Sequence, residues 1–270
     1  MIKNENTKIN KMKNRNIIFI LTFLSIVVLW NSGCRKFPFL EGNGNVIAET
    51  RNTVSFNRIE NQGEFNVYYV PDTVFYVDIE AESNLIPYIR TIVHGNTLEI
   101  DSRENLNPND AMRIWVHTPT LVGVKLSGSG LINAEAVSAP NFEAILSGSG
   151  IVYGDAVTGQ FEATLSGSGE IDFSITSENT IARLSGSGKI KLAGDSPKAD
   201  YNISGSGSIN AVNLLLAECT AKISGSGNIY TSVSDYLNVT ISGSGNLYYF
   251  GYPEIDSNIT GSGNVISNNK

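Results

Sequence analysis

The segment FEAILSGSGIV, residues 142–152, decides the fold, because its pattern recurs along the whole C-terminal half of the chain. The tetrad Ser-Gly-Ser-Gly, or once Thr-Gly-Ser-Gly, returns every 18 to 20 residues and starts at Ser127, Ser147, Ser166, Ser185, Ser204, Ser224, Ser242 and Thr260. A repeat of this length is typical of stacked architectures in which each repeat forms one rung. The sequence therefore predicts an all-β solenoid with eight rungs of about 19 residues.

The residues on either side of the tetrads alternate between apolar and polar side chains. The position before each tetrad is always Leu or Ile, as at Leu146, and the second position after it is aliphatic, as at Val152. Such alternation is typical of half-buried strands. Equivalent strands stacked about 4.8 Å apart would form parallel ladders and a rod roughly 40 Å long. Cys219 lies in an inward column, so we expect it to be an inert core residue.

The tetrad itself has two interpretations. Its glycines are typical of phosphate-binding loops, but it lacks the terminal Lys-Ser/Thr and a following helix, and it recurs eight times. We therefore interpret it as a corner of every rung, where glycine allows a positive φ or a close approach of two backbones. The stacked serine hydroxyls are expected to hydrogen-bond to one another and to the exposed backbone.

The N-terminus has the features of an export signal. A basic segment, residues 3–15, precedes an apolar run, residues 17–30, that is shorter than the roughly 20 residues of a spanning helix. Asn31-Ser32-Gly33-Cys34 resembles a bacterial lipobox, which implies a signal peptide over residues 1–33, a lipid on Cys34 that attaches the protein to a membrane, and a tether over residues 34–42. An ordinary secretory signal with a coincidental cysteine is the alternative.

Composition excludes several functions. Removal of residues 1–33 takes away five of the 19 basic residues and one of the 26 acidic residues, which leaves a net charge of −11. Such an acidic surface repels phosphate backbones, so we expect no nucleic-acid partner. The only histidines, His94 and His117, have no metal-ligand spacing to each other or to Cys219. We therefore predict no metal and no cofactor, and no disulfide if Cys34 carries lipid.

The residues before the repeats, 43–121, contain strand runs separated by turns, with a hairpin at His94-Gly95-Asn96. We expect this all-β region to begin or cap the solenoid, whose first rung would otherwise expose unpaired strand edges.

A family resemblance rests on four features of the sequence. They are Gly42-Asn43-Gly44-Asn45-Val46, Phe65-Asn66-Val67, the segment at residues 82–89 and the repeated tetrads. Together they resemble the putative auto-transporter adhesin head, or GIN, domain over residues 43–266, with residues 267–270 as a tail. The resemblance implies a right-handed parallel β-helix in an exported protein or lipoprotein of Gram-negative bacteria, at the periplasmic face of the outer membrane or the cell surface.

Candidate contact residues lie near the C-terminus. Asn228 and Asn246 follow two tetrads, with Tyr230 and Tyr248 two residues later, and aromatic faces flanked by amides suit sugar rings. Closure of the last rungs by Tyr249 and Phe250 is the simpler interpretation of this end, and a contact surface for a glycan or protein ligand is the functional hypothesis. The leading function is a non-catalytic lipoprotein for adhesion or glycan contact. A structural periplasmic component that stacks by its open rungs is a second possibility.

A carbohydrate-active enzyme on the same scaffold is the third possibility, because β-helix lyases and hydrolases use clustered acids. Glu170 and Asp172 are the candidates, but one rung later Lys189 and Lys191 occupy the equivalent positions. Cross-strand ion pairs explain these residues without catalysis, so we predict no catalytic residues. Separately, Asp72-Thr73-Val74 resembles a three-residue bacterial O-glycosylation signal.

Overall fold

The computed structural model describes residues 39–269. The predicted signal peptide, Cys34 and most of the tether lie outside these residues. The strands are β1 Leu40–Glu41, β2 Val46–Asn52, β3 Arg58–Asn61, β4 Asn66–Pro71, β5 Tyr76–Glu82, β6 Ile89–His94, β7 Thr97–Ser102, β8 Leu106–Asn107, β9 Arg113–Thr118, β10 Gly123–Leu126, β11 Leu131–Leu146, β12 Ile151–Leu165, β13 Glu170–Leu184, β14 Lys189–Asp195, β15 Lys198–Ile203, β16 Ser208–Ile223, β17 Asn228–Ile241, β18 Leu247–Phe250, β19 Glu254–Ile259 and β20 Val265–Ser267. A single 3-10 turn, Ile86–Tyr88, accompanies them in the described part.

The repeats form a parallel solenoid, as the sequence predicts. Strands β10 to β20 stack so that each residue lies beside its equivalent one rung away, as Leu146 does beside Leu165. The predicted register holds across the rungs, apart from irregularities such as the one between Ala134 and Val137. The fold is therefore almost all-β, with rungs of about 19 residues.

The interior is a set of apolar columns. The positions before the first seven tetrads, such as Leu146 and Ile241, are buried. Opposite walls meet across the core, where the ring of Phe173 lies 5.1 Å from that of Phe161 and 5.7 Å from that of Phe142. Burial of such columns supplies the main favourable contribution to folding.

The tetrad glycines are required by close backbone approach. A Cβ on Gly167 would lie 1.8 Å from the carbonyl oxygen of Gly148 in the preceding rung, and no tetrad glycine has a positive φ. The Ser168 and Gly169 amides donate to that same carbonyl. The expectation that the serine hydroxyls bond to one another is wrong for residues 39–269, because the tetrad serines are exposed and no hydrogen bond joins two of their side chains. A bond to the backbone is present at Ser224, whose hydroxyl donates to the Ile203 carbonyl at 3.4 Å.

The N-terminal region both begins and caps the solenoid. Strands β3 and β4 stack in parallel on β10 and β11, and β7 and β9 stack in turn on β3 and β4. These strands add two further rungs, one formed by β3 and β4 and one by β7 and β9, and the rung that comes first in the sequence lies next to β10 and β11. Antiparallel strands close this end, with β5 on β9, β2 on β5 and β6 on β7 in the predicted hairpin.

Two segment boundaries differ from the sequence-based expectations. The tether is expected to extend to residue 42, but Leu40 and Glu41 pair with β8, and Leu40 packs on the core. The tail expected at 267–270 is partly attached, since Asn269 exchanges two hydrogen bonds with the backbone of Gly251. Across residues 39–269, no helix has the length and apolar character needed to cross a membrane.

Candidate functional site

The strand that follows each tetrad directs its first and third residues away from the core. Stacking aligns the third residues into one outward column, which we call the aromatic column. From the capped end to the other end, it contains Trp115, Tyr68, Asn133, Tyr153, Asp172, Lys191, Asn210, Tyr230, Tyr248 and Ile266. Aromatic residues therefore occur towards both ends of the column and charged residues near its centre.

The tyrosine pair near the C-terminus is a stacked unit. The rings of Tyr230 and Tyr248 lie 4.9 Å apart, with 8° between their planes. Each ring covers one face of the other, so the edges and hydroxyl groups are more accessible than the faces. This differs from the expectation of free aromatic faces, because parallel in-register stacking sets the rings on top of one another.

The neighbouring asparagines form a ladder. The backbone N–H of Asn246 donates to the side-chain Oδ1 of Asn228 at 2.9 Å, and the backbone N–H of Asn264 donates to Oδ1 of Asn246 at 3.0 Å. These side-chain oxygens therefore hold the rungs together. In the described part of the chain, the Nδ2 groups of Asn228 and Asn246 have no partner, so they are donors available to a ligand.

The aromatic column continues into rungs that the tetrad pattern does not reveal. Trp115 stacks on Tyr68 at 5.7 Å, and Tyr153 follows one rung beyond Asn133. Burial, with a smaller effect from the neighbouring Tyr68, raises the pKa of Tyr153, so its hydroxyl stays protonated and can donate. Alignment of the third position after each tetrad could have identified Tyr153, but Trp115 and Tyr68 lie in rungs without tetrads.

A shallow groove of about 550 Å³ runs beside the aromatic column. Its floor is the backbone of the tetrads, and its walls include the second serine of four successive tetrads, from Ser149 to Ser206. Asn228 and Tyr230 line its end, whereas Asn246 and Tyr248 lie one rung beyond. The groove therefore joins two of the four predicted contact residues to a polar surface spanning several rungs.

The charged centre of this face is an ion cluster. Lys191 Nζ lies 2.6 Å from Glu170 and 3.6 Å from Asp172, and the Glu170 hydrogen bond raises the pKa of Lys191. Of the two expected ion pairs, the one between Asp172 and Lys191 is present. The other is wrong, because Glu170 pairs with Lys191 instead of Lys189, which lines the groove. Two carboxylates that share one ammonium serve to hold adjacent rungs together.

Comparison with known proteins identifies the family of this chain. A family model described as putative auto-transporter adhesin, head GIN domain, matches residues 55–253. The chain belongs to this family. The match lies within the expected range of residues 43–266. The description of this family supports an adhesin-like role for an exported or cell-surface protein.

Solved structures share the fold of this GIN domain. A crystal structure of a putative lipid binding protein from Parabacteroides distasonis ATCC 8503 is 28% identical, with a TM-score of 0.80, and the match covers 85% of this chain and 99% of that one. A putative adhesin from Parabacteroides merdae ATCC 43184 is 24% identical, with a TM-score of 0.79, over 85% and 98% of the two chains. The comparison with curated proteins found no match.

His117, outside the aromatic column, lies among local partners. His117 stacks on Tyr76 at 3.9 Å and lies 3.3 Å from Asp72 and 3.6 Å from Asp78. Across residues 39–269, no three acidic, histidine or cysteine side chains cluster in a way that could hold a metal. Thr73 of the possible glycosylation signal is exposed in the turn after β4.

Cys219 is buried in the solenoid of the GIN domain. Burial raises the pKa of its thiol to about 12, which makes the thiolate a negligible species at neutral pH.

Proposed function

We propose that this protein is a lipid-anchored, non-catalytic adhesin that holds an extended glycan chain along the tetrad groove and the aromatic column. One observation carries the proposal: aromatic and amide side chains line a single face on both sides of the charged Asp172 and Lys191, beside a polar groove. Extended faces of this kind suit a polymer of repeated units, because each rung offers a further weak contact.

The chemistry of the face favours sugar hydroxyls as ligands. Tyrosine hydroxyls, asparagine amides and exposed serines are neutral hydrogen-bonding groups, and the aromatic edges supply apolar contact. An acidic chain with its central Lys191 already paired offers little attraction to anionic polymers. We therefore expect a neutral glycan to bind more tightly than an anionic one.

A lipid on Cys34 would also set the direction in which the aromatic column extends from the membrane. Strand β1, which follows the tether, pairs with β8 in the capped region, while Tyr230 and Tyr248 lie towards the opposite end. A lipid on Cys34 would thus attach the capped end to the membrane and leave the tyrosine pair farthest from it. Replacement of Cys34 by Ser should abolish incorporation of labelled fatty acid, whereas unchanged incorporation would exclude lipidation at this residue.

A glycan array tests the binding face. Replacement of both Tyr230 and Tyr248 by Ala should weaken binding about tenfold or more, since aromatic anchors carry a large share of contact energy. Tyr252→Ala is the matched control, because Tyr252 is 87% exposed and lies outside the aromatic column. Equal binding by the double variant and the control would exclude this face as the glycan site.

A second candidate ligand is an apolar chain. Leu215, 63% exposed, and Phe250 line a separate, mostly apolar groove of about 490 Å³ at a rung corner. The 28% identical structure from Parabacteroides distasonis is described as a putative lipid binding protein. Fatty-acid binding that is lost in Leu215→Ser and kept in the tyrosine double variant would favour this function over glycan binding.

A further inference from the structure

The end of the solenoid opposite the cap is open. Strand β19 pairs only with β17, and β20 pairs only with β18, so within residues 39–269 no strand covers their outer edges. Every residue of β19 is exposed. Unpaired edges of this kind are templates for another strand, and proteins normally protect them with charges, bulges or covering segments.

The core column also opens at this end. Leu237 and Ile241 in β17 are fully buried, whereas their stacked equivalents Ile255 and Ile259 in β19 are 38% and 41% exposed. A strand added on β19 would therefore satisfy backbone groups and extend the buried column at the same time.

We propose that the occupant is a second copy of this chain, paired through β19 in an antiparallel, two-fold symmetric arrangement centred on Ser257. In this register Ile255 of each copy lies opposite Ile259 of the other, because each is two residues from Ser257. Opposed residues in an antiparallel pair project from the same face, so the two isoleucines are in contact. Asp256 then lies opposite Asn258, and Glu254 lies opposite Thr260. The apolar residues meet one another and no acid faces an acid.

Other registers are less favourable. A pairing centred on Asp256 would set the two Asp256 carboxylates directly against each other, which is destabilising. It would also place Ile255 opposite Ser257 rather than opposite an isoleucine. The self-complementary register is what an isologous interface requires, since each copy contributes the same surface.

Such a pair would place the two capped ends, and the tethers that lead to them, at opposite ends of a continuous rod. This pairing goes beyond the proposed glycan function and does not depend on the groove, so either can fail without the other. The tyrosine double variant is expected to pair as the wild type does.

A single cysteine tests the register. In the proposed pair the two Ser257 side chains face each other with Cβ atoms about 4.5–5.5 Å apart, within reach of a disulfide after small adjustment. Mild oxidation of intact cells that export Ser257→Cys should give a species of twice the monomer mass on a non-reducing gel. The wild type reports any background from Cys34, and Ser174→Cys, on an exposed position in mid-solenoid, reports random collision.

A second substitution tests the interface. Ile255→Lys in the Ser257→Cys background should reduce the disulfide-linked dimer at least tenfold, because it sets a charge opposite Ile259. Ile92→Lys, at a 42% exposed isoleucine of the capped end, should leave the dimer unchanged. Protease resistance of each variant checks that the solenoid remains folded. A folded Ser257→Cys protein without dimer, or equal dimer from Ser174→Cys, would overturn the proposal.

Discussion

Replacement of Gly167 by Ala is the sharpest test of how the tetrads determine the fold. The new Cβ would lie 1.8 Å from the Gly148 carbonyl oxygen and 2.8 Å from its carbon, so the two rungs must separate locally by more than an ångström. Overpacking of this kind costs about 1–3 kcal/mol. The carbonyl also accepts from the Ser168 and Gly169 amides at 3.2 and 3.3 Å, and each weakened hydrogen bond costs about 0.5–1.5 kcal/mol.

The total loss in free energy of unfolding is therefore roughly 2–6 kcal/mol, which corresponds to a fall in Tm of roughly 5–20 °C for a chain of this size. Thermal unfolding followed by circular dichroism measures it. Ser168→Ala is the matched control, because Ser168 is exposed in the same tetrad and its truncation should change stability by less than about 0.5 kcal/mol. Equal Tm values for the two variants would refute the close-approach explanation of the glycines.

Two further predictions concern titratable groups. Burial raises the pKa of the Cys219 thiol to about 12, so Cys219 should not react with a thiol reagent at pH 8 in the folded protein. It should react fully after denaturation. Rapid labelling of the folded chain would contradict its placement in the core. Hydrogen bonds to the Glu82 carboxylate, foremost from the Asn109 side chain, lower the pKa of Glu82 below 4.5. The ionised carboxylate therefore stabilises the fold above pH 4.5, and this stabilisation is lost as the pH falls through the lowered pKa. The protection of the Gly44 amide, whose N–H donates to Glu82, is its intrinsic exchange rate relative to the observed rate at the same pH. This protection should fall in that acidic range, and Glu82→Gln should remove the fall.

Most of the solenoid can be predicted from the sequence because each rung repeats the same physical requirement. Leu146 and its equivalents must point inward, and the tetrad glycines must let backbones approach, so the period and the alternation together determine the register. The sequence predicts that the tetrads need glycine, but it does not distinguish close backbone approach from a positive φ, because both favour the same residue. Exposed serine side chains likewise leave no pattern that shows whether they bond to one another.

The N-terminal rungs show where the sequence is insufficient. Strand β3 stacks between β7 and β10, and β4 stacks between β9 and β11, and no local pattern specifies this order. For that reason Trp115 and Tyr68 could not be assigned to the same column as Tyr230. The stacking of Tyr230 on Tyr248 does follow from their equivalent positions after two tetrads, although the pattern alone does not show that each ring covers a face of the other.

We propose the outward face of the aromatic column and the tetrad groove as the binding surface. Hydrogen exchange of the protein, measured with and without a neutral glycan selected on the array, distinguishes this surface from the rest of the solenoid. The bound glycan should slow exchange in the tetrad backbone that lines the groove, between Ser149 at one end and Tyr230 at the other, and in the neighbouring rung of Tyr248. Protection confined to the strands that precede the tetrads, or to the antiparallel strands β2, β5 and β6 of the capped end, would exclude this face as the binding surface.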